Sequence, residues 1–330
     1  MKKVIDAVLR LFGMENASVK SIAGHEGGWN EAFVLTSDGK KYVLRISALD
    51  DRTEEDYLAE TEFVHYLAEN GAAVADVIPS HSGKLVETVR NGANTIYASL
   101  FEYAPGILIS DNGYRYREGA PLSEYFFNTG KTLGRIHALS KSYKPIHRRM
   151  DYSDKYNMLN IERLMPDEYA DLKSAIALRL DRFSALSRAE SDYGLVHFDF
   201  SDGNYHIDME NGNITVYDFD NAIYCWYMFD LANLWTHGVG WCQFEKDPEK
   251  RRAFMTEYFK TIIDGYRSET DVSQALLEQL PLFIDMVLIE NIVDEFECCV
   301  RAGEEVDPED IEDAAQALIH DLPWAGFFED

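Results

Sequence analysis

The segment Gly194-Leu195-Val196-His197-Phe198-Asp199-Phe200-Ser201-Asp202-Gly203-Asn204, with Asp218-Phe219-Asp220 fourteen residues after Asn204, carries the most specific signal in the chain. It starts as a short apolar strand and continues as a polar loop that presents a carboxylate and an amide. The residues between the two segments have the composition of two strands and a turn, Tyr205 to Met209, Ile214 to Tyr217 and Glu210-Asn211-Gly212-Asn213. A β-hairpin brings its two ends together, so we expect Asn204 and Asp218 to lie side by side.

Amide and carboxylate oxygens in that position suit a hard cation such as Mg²⁺. The spacing H-x-D-x-x-x-x-N, followed by D-F-x, is that of kinase catalytic loops, where the first Asp accepts the proton of the attacking hydroxyl and the other two residues bind metal. The matching residues here are His197, Asp199, Asn204 and Asp218. The alternative is that these are solvated turns, but the whole combination at this spacing favours a catalytic loop.

Composition limits the class of protein. A chain of 330 residues with 46% hydrophobic and 27% charged residues is an ordinary globular protein, long enough for two lobes. Its formal net charge of −27 argues against nucleic acid or an anionic membrane as partner, because both would be repelled. Four cysteines without metal-binding spacing indicate reduced thiols in a cytoplasmic protein. The oligomeric state is not encoded in any of these features.

Two apolar segments resemble membrane or export signals only superficially. Residues 1–10 are interrupted by Asp6 and Arg10, so they predict an amphipathic helix rather than a signal peptide. Residues 280–293 are interrupted by Asp285 and Glu290 and are too short to span a bilayer. We therefore expect no membrane segment.

The N-terminal third predicts a small sheet with one helix. Turn signals separate the expected strands, Ser18 to Ala23, Glu31 to Ser37, Lys41 to Ser47, Lys84 to Val89 and Asn94 to Phe101. Thr53 and Asp56 are helix-capping residues, and that helix is expected to stop at Asn70-Gly71. Arg45 ends the third strand, where a cation could meet nucleotide phosphates, and Glu60 on the helix could be directed at it; an exposed Arg and a solvated Glu are the alternatives.

The remainder is predicted to be mostly helical. Phe101-Glu102-Tyr103-Ala104-Pro105-Gly106 has the composition of a connector, because Pro and Gly interrupt the strand. This places an N-terminal lobe at residues 1–102 and a helical lobe at residues 103–330, with a nucleotide cleft between them. Helices are expected from Pro121 onward, near Glu168 to Ala185, Leu231 to His237, Pro248 to Tyr266, Val272 to Arg301 and Pro308 to His320.

From Gly27 to about His237 the sequence resembles the aminoglycoside phosphotransferase and choline kinase-like superfamily of small-molecule kinases. The resemblance rests on these motifs: Gly27-Gly28-Trp29-Asn30, Tyr42-Val43-Leu44-Arg45, Glu60 to Leu67, Leu133-Gly134-Arg135-Ile136-His137, the His197–Asn204 loop, Asp218-Phe219-Asp220 and Phe229-Asp230-Leu231-Ala232. It implies an α+β, protein-kinase-like two-lobe fold, with a small β-rich N-lobe and a larger, mostly helical C-lobe.

The resemblance also implies roles for single residues and the cofactors ATP and Mg²⁺. Asp199 is then the catalytic base, and Asn204 and Asp218 are the Mg²⁺ ligands. The implied nucleotide contacts are Gly27 and Gly28 in the glycine-bearing turn, the phosphate-binding pair Arg45 and Glu60, and the adenine-contacting residues Phe101, Glu102 and Tyr103. The turn at residues 24–30 is not G-x-G-x-x-G, so an ordinary hairpin turn is an equal alternative there.

Three further residues are expected to support the structure. The resemblance implies that His197 supports its loop, that His137 is a core or loop-bracing residue, and that Asp230 caps its helix.

Arg45 replaces the usual Lys of kinases but stays charged and can bind phosphate in a bidentate way. Ser201 and the absence of an A-P-E segment after Asp218 favour a small-molecule acceptor over a protein.

The acceptor is suggested by charge. Residues 271–330 contain 17 Asp and Glu against one basic residue, Arg301, and Glu290, Asp294 and Glu297 share a helix face. This pattern predicts either a solvated face, the usual fate of charge runs, or an electrostatic funnel for a cationic acceptor such as an amino sugar, amino alcohol or amino acid. The favoured function is an ATP-dependent kinase of such an alcohol; the rival is a non-catalytic, nucleotide-binding regulatory protein with a kinase fold.

Overall fold

A computed structural model of the chain describes residues 2–22, 31–47, 52–92 and 94–324. The predicted glycine turn, with Gly27 and Gly28, lies outside the described residues. The chain forms two compact units: the first contains the residues up to Pro121 with Ser142–Arg149 and Asp202–Asp220, and the second contains Leu122–Lys141, Met150–Ser201 and the residues from Asn221 onward. The predicted lobe boundary at residues 102 and 103 stays a prediction.

Most strands of the described residues come early in the chain, and most helices come after them. In chain order the elements are α1 (Lys2–Leu11), β1 (Ser18–Ser21), β2 (Glu31–Ser37), β3 (Lys40–Ser47), α2 (Glu54–Glu69), β4 (Val77–Ile78), β5 (Glu87–Asn91), β6 (Asn94–Glu102), α3 (Leu122–Ser140), α4 (Tyr152–Lys155), α5 (Met158–Leu164), α6 (Ala170–Ser184), β7 (Tyr193–Val196), β8 (Tyr205–Ile207), β9 (Ile214–Val216), β10 (Ile223–Trp226), α7 (Met228–Gly238), α8 (Pro248–Arg267), α9 (Gln274–Leu277), α10 (Leu280–Ala302) and α11 (Pro308–His320). The small antiparallel sheet and the predominance of helices after it confirm the predicted α+β class.

The first unit is built on a six-stranded antiparallel sheet. Its strand order is β1-β2-β3-β6-β4, and β5 also pairs with β6. Strands β2 and β3 are joined by Asp38 and Gly39, whose φ angles of 51° and 76° are those of a tight hairpin turn. Helix α1 packs its apolar face on the sheet, where Val8 joins the core with Leu35 and Leu44, so the predicted amphipathic helix is confirmed.

Helix α2 begins and ends where the sequence predicts. Thr53 and Asp56 form a capping box, in which each side chain accepts a hydrogen bond from the backbone N–H of the other. The helix stops at Asn70, and the next residue, Gly71, takes a φ of 81° that favours glycine. The buried face of α2 includes a carboxylate, Glu60, beside apolar side chains such as Phe63.

The hairpin predicted after the catalytic motif is present in the first unit. Tyr205 of β8 pairs with Val216 of β9, and Ile107 pairs with Ile207 alongside them. Each strand is shorter than predicted, since β8 ends at Ile207 and β9 ends at Val216. Asp208 N–H donates to Asn213 O (2.9 Å) at the turn between them. Gly106 has a φ of 95°, and a Cβ there would lie 2.2 Å from Ile207 O, so this close approach requires glycine.

The second unit is mostly helical, with β7 and β10 paired antiparallel. Helices α3 and α8 pack closely, since a Cβ at Gly130 would lie only 2.0 Å from Ile262 O. The single helix predicted from Val272 to Arg301 is wrong: the structure has α9 and then α10, and Pro281 stands in the first turn of α10, where a missing N–H is tolerated. Across the described ranges, each helix is too short or too polar to cross a membrane.

Candidate active site

Asp218 follows the hairpin of the first unit directly. Tyr217 N–H donates to Asn204 O at 2.9 Å, so the two ends of the hairpin are adjacent and Asn204 lies opposite the residue before Asp218. Asp218 has a φ of 64°, in the left-handed region that few residues except Gly, Asn and Asp adopt. The backbone therefore turns sharply at the carboxylate that the sequence predicts as a metal ligand.

Arg45 and Glu60 form a buried ion pair. Arg45 Nη2 lies 2.5 Å from Glu60 Oε2, and the two side chains are 8% and 1% exposed. Strand β3 supplies the Arg and the buried face of α2 supplies the Glu, as the sequence suggested. Burial by itself lowers the pKa of Arg45, but Glu60 above all raises it, and the net pKa lies above its ordinary value. The guanidinium is therefore a permanent cation.

The same guanidinium reaches the predicted metal ligand. Arg45 Nη1 lies 3.6 Å from Asp218 Oδ1, and the Asp218 side chain is 49% exposed. The guanidinium carbon of Arg45 lies 5.1 Å from the ring centroid of Phe101. Cation and carboxylate are thus held next to each other at the surface of the first unit, a combination that suits phosphate oxygens and a metal ion.

The sequence missed two arginines around Asp220. Arg149 Nη2 donates to the backbone O of Asp220 at 2.5 Å, and Arg52 Nη1 lies 3.5 Å from the Asp220 carboxylate. Between Asp218 and Asp220, the ring of Phe219 packs against Phe63 of α2 at 5.9 Å. No local pattern marks Arg52 or Arg149, because both act on residues far away in the sequence.

The predicted adenine-contacting residues lie at the end of β6. Glu102 N–H donates to Asp76 O at 2.8 Å, so this donor already has a partner within the first unit. Tyr103 follows β6, with Lys41 Nζ 5.0 Å from its ring centroid and His206 5.5 Å away. The adjacent Ala104 O lies 2.8 Å from His206 Nδ1, which fixes the backbone after Tyr103.

Asp199 lies in a loop of the second unit, between β7 and the end of that unit's segment at Ser201. The residue before it, Phe198, has a φ of 73°, an uncommon conformation for a large side chain. Phe198 stacks on Phe229 of α7 at 4.2 Å, and His197 is buried with its ring against Phe200 at 5.6 Å. Ser201 N–H donates to Asp199 O at 3.1 Å, so the loop folds back on itself.

Asp230 fixes this loop, and its predicted role as a helix cap is wrong. Its two oxygens accept the backbone N–H groups of His197 and Phe198, both at 2.9 Å, whereas the N-cap residue of α7 is Tyr227. A carboxylate that takes two N–H bonds at 32 and 33 residues' separation is a long-range contact that the local capping pattern does not encode.

His137 braces Asp230 from α3, as predicted for a loop-bracing residue. Its Nε2 lies 3.0 Å from Asp230 Oδ2, and its Nδ1 lies 3.0 Å from the Tyr266 hydroxyl. Burial lowers the pKa of His137, against the opposing effect of Asp230, so the ring is neutral near pH 7. A carboxylate only accepts, so Nε2 carries the proton and Nδ1 accepts from Tyr266.

The acidic face of α10 is part of the same unit. Lys155 Nζ lies 2.6 Å from Asp294 Oδ1 and 3.2 Å from Glu297 Oε2. Glu290, Asp294 and Glu297 are each half-buried rather than fully solvated. Burial first, and then Asp294 and Asp199, raise the pKa of Glu290 well above its ordinary value. On this face, Glu290 is therefore electrostatically coupled to Asp199.

A metal ion would find few ligands in the protein itself. Within the described ranges, no three His, Cys, Asp or Glu side chains form a group that could hold a metal. Mg²⁺ needs only one or two carboxylates when substrate phosphates and water complete its shell. The oxygen donors Asn204 and Asp218 fit that requirement, with Asp218 half-exposed to such a ligand.

The first unit holds a buried Arg–Glu pair and a D-F-x segment after a hairpin, and the second unit holds a fixed H-x-D loop. Each of these features is typical of kinases. The chain belongs to the phosphotransferase enzyme family (APH), whose profile matches residues 21–269. The family and the enzyme class predicted from the sequence, a small-molecule kinase, are thereby confirmed.

Individual relatives agree with this assignment. The amicoumacin kinase of Bacillus subtilis (strain 168) is 27% identical over 288 residues, which cover 86% of this chain and 81% of that protein. The fold is similar to that of an amicoumacin kinase in complex with AMP-PNP, Ca²⁺ and Ami (TM-score 0.82, 21% identity, 99% and 95% of the two chains). It is also similar to a microcompartment-associated aminopropanol kinase (TM-score 0.71, 18% identity, 98% and 99%). The predicted protein-kinase-like fold is confirmed by these matches.

Proposed function

We propose that this protein transfers the γ-phosphate of ATP, with Mg²⁺, to a hydroxyl group of a small, amine-bearing acceptor. The observation that carries the proposal is the fixed loop before Asp199, where Asp230 accepts two successive backbone N–H bonds. A catalytic base must keep its position relative to the acceptor hydroxyl, and such a loop supplies a rigid backbone for Asp199. The non-catalytic rival gives no reason for so tightly fixed a base.

The other predicted site residues have roles on the nucleotide side. Asn204 and Asp218 would hold Mg²⁺, and Arg45 with Glu60 would position phosphate oxygens. Mg²⁺, when bound, supplies neutralisation of phosphate charge. Gly27 and Gly28 would lie along the phosphates, and Phe101, Glu102 and Tyr103 near adenine. The similar amicoumacin kinase in complex with AMP-PNP and Ca²⁺ supports nucleotide and divalent metal use.

A cationic acceptor is supported by two independent features. The relatives are named for amicoumacin and for aminopropanol, and the second of these names denotes an amino alcohol. The half-buried carboxylates Glu290, Asp294 and Glu297 lie in the same unit as Asp199, and they outnumber the ammonium group of Lys155, which pairs with two of them. Carboxylates in partly desolvated surroundings attract an ammonium group more strongly than solvated ones do.

The test is a coupled ADP-release assay with MgATP and a panel of aminoglycosides, amino alcohols and hydroxy amino acids. For an acceptor that stimulates ADP release, Asp199→Asn should lower kcat by about 10²–10⁴-fold, while AMP-PNP binding by calorimetry stays within about twofold of wild type. Asp202→Asn is the matched control, because the carboxylate that it removes lies in the same sequence segment and has no assigned role.

Two results would contradict the proposal. An Asp199→Asn variant as active as wild type would remove Asp199 from the reaction. A wild type that transfers phosphate to none of the panel would contradict the amine-bearing acceptor.

A further inference from the structure

A short segment of the first unit, Ser142–Arg149, packs against α2. Tyr143 contacts the rings of Phe63 and Tyr66, with centroids 5.1 and 4.9 Å away. His147 Nδ1 lies 2.7 Å from Glu62 Oε1, and its backbone N–H donates to Glu62 Oε2 at 3.2 Å. The segment therefore follows the same helix that carries Glu60.

Arg149 ends this segment and is only 7% exposed. Its Nη1 donates to Asp56 O in the first turn of α2 at 3.2 Å, and its Nη2 donates to Asp220 O at 2.5 Å. Burial lowers the pKa of Arg149, with Glu60 opposing that effect. A charge in such a buried place is costly to keep. The contacts of the Arg149 guanidinium with these two backbone carbonyls therefore call for a functional explanation.

One of the two carbonyls belongs to α2, and the other belongs to the segment that follows Asp218. Helix α2 carries Glu60, which binds Arg45, and Arg45 in turn reaches Asp218. Asp220 lies two residues after Asp218 on the other side. Arg149 thus closes a ring of contacts from α2 through Arg45 to Asp218 and back through Asp220.

A closed ring matters because Asp218 has a left-handed backbone, with a φ of 64°, which is a strained conformation for most L-residues. After Asp218 the segment is also held by the ring of Phe219 on Phe63 and by Arg52, whose Nη1 lies 3.5 Å from the Asp220 carboxylate. A hydrophobic contact fixes how closely the segment packs but not the direction of the Asp218 carboxylate. A forked guanidinium that donates to a carbonyl also fixes the direction of that carbonyl.

We propose that Arg149 is a positioning residue for metal-dependent nucleotide binding: it joins α2 to Asp220 and so keeps Asp218 in register with the Arg45–Glu60 pair. This inference rests on the proposed function, because it takes Asp218 as the metal ligand. Arg149 itself contacts neither nucleotide nor metal in this scheme. Residues that orient a metal ligand typically change metal affinity by about 10–100-fold when they are replaced.

Calorimetry with AMP-PNP tests the proposal without any acceptor. Each protein is titrated with AMP-PNP twice, once in the presence of EDTA and once in the presence of saturating Mg²⁺. The ratio of the two Kd values is the metal-dependent gain in nucleotide affinity. Arg149→Gln should reduce that gain about tenfold, with less than a twofold change in the Kd measured in EDTA. Arg149→Lys should fail to restore it, because one ammonium cannot donate to both carbonyls in the fork geometry.

Two control variants separate positioning from general damage. Arg148→Gln removes the same charge from the exposed preceding residue and should keep the wild-type gain. Glu87→Gln weakens a buried contact with Ser80 (2.6 Å) in the same unit and should lower the Tm without changing the gain. A purely structural Arg149 would instead behave like Glu87, and that result would overturn the proposal.

The remaining outcome separates this inference from the function on which it rests. If wild type shows no metal-dependent gain, or if Asp218→Asn keeps it in full, Asp218 is not a metal ligand, and the metal assignment is overturned together with the role of Arg149. If wild type shows the gain, Asp218→Asn loses it and Arg149→Gln keeps it, the metal assignment stands and only the positioning role is wrong.

Discussion

The loops that carry Asp199 and Asp218 both hold an uncommon backbone conformation, and they are fixed by side chains of opposite charge. Each has a non-glycine residue in the left-handed region, Phe198 with a φ of 73° and Asp218 with a φ of 64°. In the second unit the loop is fixed by an anion, Asp230, which accepts backbone N–H groups. In the first unit it is fixed by cations: Arg149 donates to a backbone carbonyl and Arg45 approaches the Asp218 carboxylate.

Under the proposed function, the difference follows from what each carboxylate would do. A base would work from one position, and Asp230, which is fully buried, holds its loop through two backbone hydrogen bonds. A metal ligand would exchange partners when the metal binds, and the side chain of Asp218 is half-exposed beside Arg45. The Asp199 loop is therefore rigid. The Asp218 loop is rigid in its backbone and adaptable in its side chain.

The largest effect is expected when the anion that fixes the Asp199 loop is removed. Asp230→Ala leaves two buried N–H groups and His137 without their acceptor, which should lower the free energy of unfolding by about 3–5 kcal/mol. Displacement of Asp199 should lower kcat by about 100-fold or more. Urea denaturation and the ADP-release assay measure the two effects.

Two companion variants sharpen this result. Asp230→Asn keeps one acceptor oxygen and should fall between wild type and Asp230→Ala in both measurements. Asp264→Ala removes an exposed carboxylate of the same unit, paired with Lys260, and should change stability by less than about 1 kcal/mol. An Asp230→Ala variant with wild-type kcat would show that the loop does not need its anion.

A smaller effect is expected from the backbone at Asp218. Asp218→Ala and Asp218→Gly both remove the carboxylate, but only glycine adopts a φ near +64° without steric cost. Asp218→Gly should therefore be more stable than Asp218→Ala by about 1 kcal/mol. Denaturation of both variants measures the difference, and a more stable Ala variant would show that the left-handed backbone is not strained.

Local signals predicted those parts of the molecule that are formed by neighbours in the sequence. The capping box at Thr53 and Asp56 and the hairpin before Asp218 each depend on residues a few positions apart, and both are present. Pro281 is a local signal of the same kind, since it marks a helix start and separates α9 from α10. The prediction of one continuous helix from Val272 to Arg301 gave it too little weight.

Long-range contacts could not be predicted in the same way. Asp230 has the position of a helix cap in the sequence, and only the tertiary structure directs it to His197 and Phe198 instead. Arg149 follows another arginine in a polar segment and has no motif around it. The acidic face of α10 was predicted, but its packing on Lys155 requires α4 to lie against α10. Sequence periodicity carries no information about contacts between residues so far apart in the chain.

The last effect depends on pH and concerns the electrostatic side of the comparison, since the Asp199 loop has carboxylates as neighbours where the Asp218 loop has arginines. Burial, Asp294 and Asp199 raise the pKa of Glu290 in the folded protein above its ordinary value of 4.5. Between pH 4.5 and that raised pKa the folded state binds more protons than the unfolded state, so stability falls as the pH rises. Glu290→Gln should remove this part of the pH dependence, at most about 1.4 kcal/mol per pH unit, whereas Glu304→Gln, an exposed acidic control, should leave it in place. Denaturation series from pH 4.5 upward measure both slopes, and parallel curves for wild type and Glu290→Gln would mean that Glu290 ionises normally and that the acidic face is not coupled to the Asp199 loop.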